Sequence, residues 1–528
     1  MKLDYDVIVV GGGHNGLIAA GLLAKYGSHV LVLEKRSQVG GAAVTETPWG
    51  PDYKVTSLSY VISLMPPTVL RELELERYGY HVYPQHGYFV PYPDGRYLQM
   101  SEDRQTRRRQ VSQFSSRDAL ALDRWDDWLT ELGASLGPLL MAVPPRLGSR
   151  RPGDLLDLLK FAWKLRGWNT QRVGDVTRLF TMSVADLLEE YFESPQILGL
   201  KSVSGIIGTW AGPRSPGTAY VMAHHKIGDV GDGQMGSWGF PRGGMGGATR
   251  AMRRAAEAFG CQFQTEAEVG RVLTRGGRVS GVALRDGRTF NAPVVITTVH
   301  PKIAFLEHLE SGQLPDSLVQ RLHSWKTRSG TVKINLALDR LPEFRCKPGF
   351  DVQVHGGTIV LVDSLDQLEA AYQDAVAGQP ARRPFVDLCL PSVFDDSLAP
   401  PGHHIASLFT QWVPHQFVNQ PCSAELASYA DRIIARLEEL APGFSNSILH
   451  RQIIGPHEME RDYGLIGGNI FHGELSLNQL FHMRPAPGWA QFETPIRGLF
   501  NASSATHGGG GVTGIPGLQV ARRLIKTP

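Results

Sequence analysis

At 528 residues, with 42% hydrophobic and 20% charged side chains, the chain is a globular protein too long for a single ordinary core. Its formal net charge of +2 gives no general attraction to nucleic acid. Its four cysteines, Cys261, Cys346, Cys389 and Cys422, form no C-x-x-C pair and no zinc spacing, which excludes a local redox dithiol and leaves no metal set.

The predicted elements begin with a strand, Tyr5 to Val10, then a turn, Gly11-Gly12-Gly13-His14-Asn15-Gly16. A helix from Leu17 to Tyr26, a second strand from His29 to Leu33 and then Glu34 complete a dinucleotide-binding βαβ unit. Gly11 allows the tight turn, Gly13 lets backbone approach a pyrophosphate, and Gly16 lets helix and strand pack closely. The helix start offers free N–H groups to phosphate. Glu34 sits where a carboxylate accepts ribose hydroxyls, and it would repel a 2′-phosphate, so NADP is not expected. The alternative is a glycine turn that kept its shape and lost its ligand. After Glu34 come Lys35, Arg36 and a second glycine pair, Gly40-Gly41, followed by Ala42.

Beyond Met65-Pro66-Pro67 the chain leaves this unit. Tyr80 to Met100 reads as antiparallel strands with a turn at Pro93-Asp94-Gly95. Arg107-Arg108-Arg109 reads as a solvated loop. Ser116 to Leu200 is helical. Within it, Asp154 to Trp168 carries eight large apolar residues interspersed with Lys160, Lys164 and Arg166. Two readings stay open there: a helix dipping into a membrane surface, or one packed on the domain with its basic stems snorkelling. Packing is the expected one.

Phe240 to Gly247 is a glycine-rich loop before a helix, Ala248 to Phe259, and before strands at Cys261–Thr265, Val269–Thr274, Val279–Leu284 and Val294–Thr298. No apolar strand precedes those glycines, since Gln234 to Phe240 is broken, so a second nucleotide fold is rejected. The loop is instead expected to lie against the cofactor held by the first unit. A strand at Thr331–Leu338 presents Val332, Ile334, Leu336 and Leu338 on one face. Strands near Phe385–Leu390 and His404–Thr410 flank a helix near Leu365–Ala375, and a long amphipathic helix follows at Ser423–Leu440. Gly498–Ala502 is a last strand, His507 to Gly514 a glycine-rich turn, and Ile515–Ile525 a helix.

Three separated segments agree: the first βαβ unit with Gly40-Gly41, the Gly243–Gly247 loop with its helix and strands, and the His507–Gly517 turn. Together they resemble the phytoene desaturase and carotene isomerase branch of the flavin amine oxidase superfamily. The likeness is closer still to the family named pyridine nucleotide-disulphide oxidoreductase domain-containing protein 2, through Gly11–Leu17, Gly40–Glu46, Gly208–Tyr220, Gly468–His472 and Gly509–Gly514. The resemblance implies an α/β protein: a Rossmann-like FAD-binding domain of the GR2 type plus a discontinuous mixed-sheet and helix substrate domain. The expected boundaries are 1–70, 235–310 and 465–528 for the first and 71–234 and 311–464 for the second.

The resemblance also implies the cofactor, FAD, and the chemistry, desaturation or flavin-assisted isomerisation of an elongated apolar substrate. Gly11, Gly13, His14, Asn15, Gly16, Glu34, Lys35, Arg36, Gly40, Gly41 and Ala42 would hold adenosine and pyrophosphate. Val269 would meet the adenine, and Gly510, Gly511 and Val512 the flavin ring. Ala42 stands where many members carry an arginine, so that contact is absent. Ser503 and Ala505 stand where glycines are usual, which predicts crowding of the ribityl chain or backbone strain of about 1–2 kcal/mol.

His507 is the candidate for a proton or hydrogen-bond role, with a structural turn cap as the alternative. Tyr60, Trp210, His225, Phe471 and His472 are candidates for an apolar substrate tunnel, each also explicable as packing. A non-catalytic prenyl-binding protein, like the Rab escort and GDP-dissociation inhibitor proteins, is the second function class. The electron acceptor is expected to be oxygen, a quinone or another protein. Peripheral membrane contact stays open. The few cysteines, and a first strand that follows Met1 at once, lead to an expectation of a cytoplasmic protein or a mature organellar matrix form.

Overall fold

A computed structural model describes residues 3–101, 103–228, 230 and 236–526. Gln234 and Met235, the start of the broken glycine-rich stretch, lie outside the described residues.

Five short strands form an all-parallel sheet in the order Leu499–Asn501, Val294–Thr297, Val7–Val10, Val30–Leu33 and Gln262–Gln264. Three stretches far apart in sequence thus share one sheet. The central strands are unbroken apolar runs because both faces are covered. Val7, Val9, Val30 and Val32 face a layer that includes the helices His14–Lys25, Met245–Ala258 and Ile515–Ile525. Ile8, Val10, Leu31 and Leu33 face an antiparallel sheet made of Val269–Arg275, Arg278–Leu284 and Thr289–Asn291. The first helix starts at His14, three residues before the hydrophobic pattern suggests. The turn that Gly13 caps therefore already points its amides along the helix axis.

A second, seven-stranded sheet runs Ile448–Ile454, Thr331–Leu338, His404–Gln411, Phe385–Cys389, Thr358–Leu361, Tyr88–Pro91, Tyr97–Met100. It is antiparallel except where Thr358 and Ile359 pair with Tyr88 and Phe89. Its strands come from both sides of the 236–310 stretch. Its apolar face packs with the helices of residues 116–224 in the largest core cluster. Its other face turns toward the parallel-sheet unit: Asn335 lies against Ser57 and Gln452.

Two local expectations are corrected and a third is narrowed. Residues 104–112 are a helix, not a loop, because Asp103 caps its N-terminus and Arg107 and Arg108 pair with Asp126 and Asp123 of the next helix. A strand, Gly239–Pro241, does precede the 243–247 glycines, but it pairs antiparallel to Val82–Pro84. Those glycines then pack on Thr45 and Thr56, whose hydroxyls bond Gly243, Met245 and Gly246, so the loop does not lie along the cofactor cavity. The Pro152–Lys164 helix packs on the domain as expected, but on one side only: Phe161 is half-buried against the core and no residue of the helix is fully buried.

Candidate functional site

A cavity of about 320 Å³ lies between the two units. It is lined at one end by the first glycine turn, and at the other by Tyr60, Ile207, Lys333 and Phe409. Gly11 holds φ +100, and a Cβ there would meet Thr298 Oγ1 at 2.6 Å. Thr298 fixes this turn by donating to the carbonyls of Val10 and Gly11. Gly13 differs: its φ is −71 and a Cβ would meet nothing within 4 Å, because that position opens into the cavity. A Cβ on Gly16 would sit 2.2 Å from the Gly11 carbonyl oxygen. Gly16 lines no part of the cavity and acts through packing.

Glu34 is buried at the tip of its strand. The amides of Gly12 and Arg36 donate to its two carboxylate oxygens at 2.8 and 2.9 Å, which orients the carboxylate and leaves lone pairs for ribose hydroxyls. Arg36 stacks 4.6 Å from the Tyr463 ring and pairs with Glu46. Gly40 bridges to Gly13, so the second glycine pair closes onto the first turn. Lys35, Gly41, Ala42 and Val269 line the same end.

A nucleotide cofactor fits this end on polar bookkeeping. Among the described residues, Arg36 Nη1, His14 Nε2, Asn15 Oδ1 and His472 Nδ1 are buried without a protein partner. Leaving such a group unpaired costs about 1–3 kcal/mol. Burial pushes His14 down to about 4 and His472 to about 3, so both rings are neutral near pH 7.

The opposite end is apolar with one buried amine. Tyr60, Ile207, Phe409 and Phe471 form its walls. Lys333, Phe409 and Asp387 stand in one row across three neighbouring strands. Tyr60 covers that row: its ring lies 5.7 Å from both Phe409 and Lys333 Nζ, and its hydroxyl donates to Asp387 at 3.2 Å. Lys333 Nζ donates at 2.6 Å to Asn335 Oδ1 and Ser407 Oγ, with no carboxylate partner among the described residues. Burial pushes its pKa down to about 7. Asp387, behind Tyr60, is pushed up to about 7 by burial. Strand alternation held the signal for Lys333: it sits on the face opposite Val332, Ile334, Leu336 and Leu338, in a strand buried throughout.

The expected substrate residues divide. Tyr60, His225, Phe471 and His472 line the cavity, with His225 pushed down to about 3 by burial. Trp210 does not; its ring packs on Tyr372 and His415. Gly511 and Val512 line it, whereas Gly510 lies one layer behind, its carbonyl 3.1 Å from His224 Nε2. His507 is corrected from candidate catalyst to structural residue. Its Nε2 is 3.0 Å from the Leu139 carbonyl and its ring stacks on Phe481, so it is held away from the cavity by the 116–140 helix. Ser503 and Ala505 cause neither crowding nor strain. Both are fully buried outside the cavity lining with φ outside the left-handed region. Ser504, which does line it, accepts from Asn15 Nδ2 at 3.3 Å.

Residues 9–70 match the NAD(P)-binding Rossmann-like domain. Over its whole length the chain is 36% identical to pyridine nucleotide-disulfide oxidoreductase domain-containing protein 2 of Rattus norvegicus, covering 94% of that protein. The chain belongs to this family. The first glycine turn, Glu34 and Gly40-Gly41 all lie inside the matched Rossmann-like domain. The chain is also 25% identical to prolycopene isomerase 1, chloroplastic, of an Oncidium hybrid cultivar, over 88% of this chain and 75% of that one. A putrescine oxidase variant shares the fold, with a TM-score of 0.64 at 17% identity and full coverage of both chains. The disulfide chemistry in the family name has no counterpart in this member: its four cysteines are free, and burial pushes Cys261 and Cys389 up to about 12.

Proposed function

We propose that the chain is an FAD-dependent oxidoreductase acting on a carbon–carbon bond of an elongated apolar substrate, by desaturation or isomerisation. The observation that supports this most is the continuity of one cavity, from the Gly13 and Glu34 cradle to an apolar wall holding a single buried amine. FAD supplies hydride acceptance when bound. The protein's part is placement and proton control. Ile207, Phe409 and Phe471 exclude water and favour an apolar ligand over a charged one. Tyr60, held by Asp387, fixes the height of the chamber over Phe409. Lys333 is the group able to take a proton. As a neutral amine it spends its two N–H donors on Asn335 and Ser407, which leaves its lone pair free. The flavin-free lipid-binder alternative rests on Ser503 and Ala505, and neither touches the cavity.

The test is an anaerobic reduction screen on FAD-loaded protein, with polyenes, monoterpenes and isoprenoids beside primary amines. Bleaching of the flavin, or product isomerisation, with an apolar unsaturated compound is expected. Bleaching by amines alone would overturn the substrate class and leave the cofactor assignment standing.

A further inference from the structure

We infer that the Pro152–Lys164 helix is a docking surface for an anionic lipid bilayer. An ordinary surface helix turns its apolar arc to the core. This one carries an apolar arc outward. At about 100° per residue, Leu155, Leu159, Trp163 and Leu156 fall on one arc. They are 45%, 67%, 66% and 52% exposed. The inward side is a different set, Phe161, Leu165 and Trp168, which packs against the helical core cluster. The helix is therefore anchored by one apolar side and presents another. Leu147 and Val173, on the flanking segments, are exposed as well. Single exposed apolar residues are ordinary, but several on one helix mark a contact surface.

Charge decides the occupant. From Arg150 to Arg166 the chain holds five basic and two acidic residues, a local excess of +3 in a chain whose total is +2; Arg146 and Arg172 at its borders pair with Glu493 and Glu131. Lys160 and Lys164 border the outward arc on the helical wheel, and Arg150 and Arg151 precede the first turn. Among the described residues, Arg150, Arg151, Lys164 and Arg166 have no acidic partner, and Arg166 lies over Trp163 at 4.4 Å. A second copy of the chain would bring the same positive charge against itself. An apolar arc with a tryptophan and a basic border suits the boundary between anionic headgroups and acyl chains. No helix among the described residues is long and apolar enough to cross a membrane, so the contact lies in the plane of the surface. The docking surface does not depend on what the cavity binds.

Co-sedimentation of the full chain with vesicles tests this, using phosphatidylcholine alone and phosphatidylcholine mixed with phosphatidylglycerol. Binding to the mixed vesicles is expected, with weaker binding to the neutral ones and a fall as salt rises. Leu159→Glu combined with Trp163→Glu is expected to lower binding to mixed vesicles about tenfold or more. Both side chains are exposed, so the pair should keep its circular dichroism and FAD binding. Lys160→Ser with Lys164→Ser should weaken binding to mixed vesicles and leave binding to neutral vesicles unchanged. No binding to either vesicle, or equal binding by the parent and the variant carrying both glutamate substitutions, would overturn the inference. So would a parental dimer in sedimentation velocity that the same double variant dissociates, since the arc would then be covered by a second copy.

Discussion

Gly13→Leu is expected to abolish FAD binding while the apo protein stays folded. Gly13 has an ordinary φ of −71, and its missing Cβ would touch nothing, so the backbone accepts a side chain without strain. The cost to folding is that of a poor helix N-cap, about 1 kcal/mol or less. The leucine branch then fills the space in which the pyrophosphate meets the amides of the first turn. A loss of at least about a hundredfold in affinity, near 3 kcal/mol, is expected by flavin fluorescence titration. Gly16→Ala is the matched control. Its Cβ would meet the Gly11 carbonyl oxygen at 2.2 Å, so it should lower the melting temperature of the apo protein. Parental FAD affinity in Gly13→Leu would place the phosphates elsewhere.

Lys333→Met is expected to keep the yellow colour and lose the reaction. The lysine lies at the apolar end of the cavity, away from the first glycine turn, so FAD affinity should hold. Removing a positioned base typically costs a factor of about 10²–10⁴. The pH profile carries the sign. Burial disfavours the ammonium and lowers the pKa from its ordinary 10.5 to about 7. Below that value the amine is protonated and cannot accept a proton; above it the lone pair is free. The rate of flavin reduction by substrate should therefore rise with pH through about 7 in the parent, and that limb should vanish in Lys333→Met. Stopped-flow reduction across this range checks both statements. An unchanged profile would remove Lys333 from the chemistry.

The nucleotide unit was legible because its information is local. Glycine spacing, two unbroken apolar runs and a terminal acid lie within about thirty residues, the scale of one βαβ unit. Glu34, Gly11 and Gly13 stand as that spacing implies. What escaped was set by distant contacts. Lys333 reads as a polar residue on the open side of an alternating strand. It is buried because Tyr60, far away in sequence, folds over it. His507 reads as a flavin neighbour because glycines follow it, yet the carbonyl it meets belongs to Leu139. Trp210 and the Gly243–Gly247 loop fail for the same reason: chain order does not tell which side of a glycine-rich segment faces the ligand. The Pro152–Lys164 helix packs through one apolar side and leaves another exposed, since periodicity locates an apolar arc and says nothing of what covers it.

The measurement closest to the central claim is cofactor stoichiometry. Protein stripped of ligand is incubated with excess FAD, desalted and denatured, and the released nucleotide is counted and identified. One FAD per chain, lost in Gly13→Leu, is the expected result. A colourless protein that retains no FAD, or one that retains NAD instead, would contradict a cavity built to hold flavin.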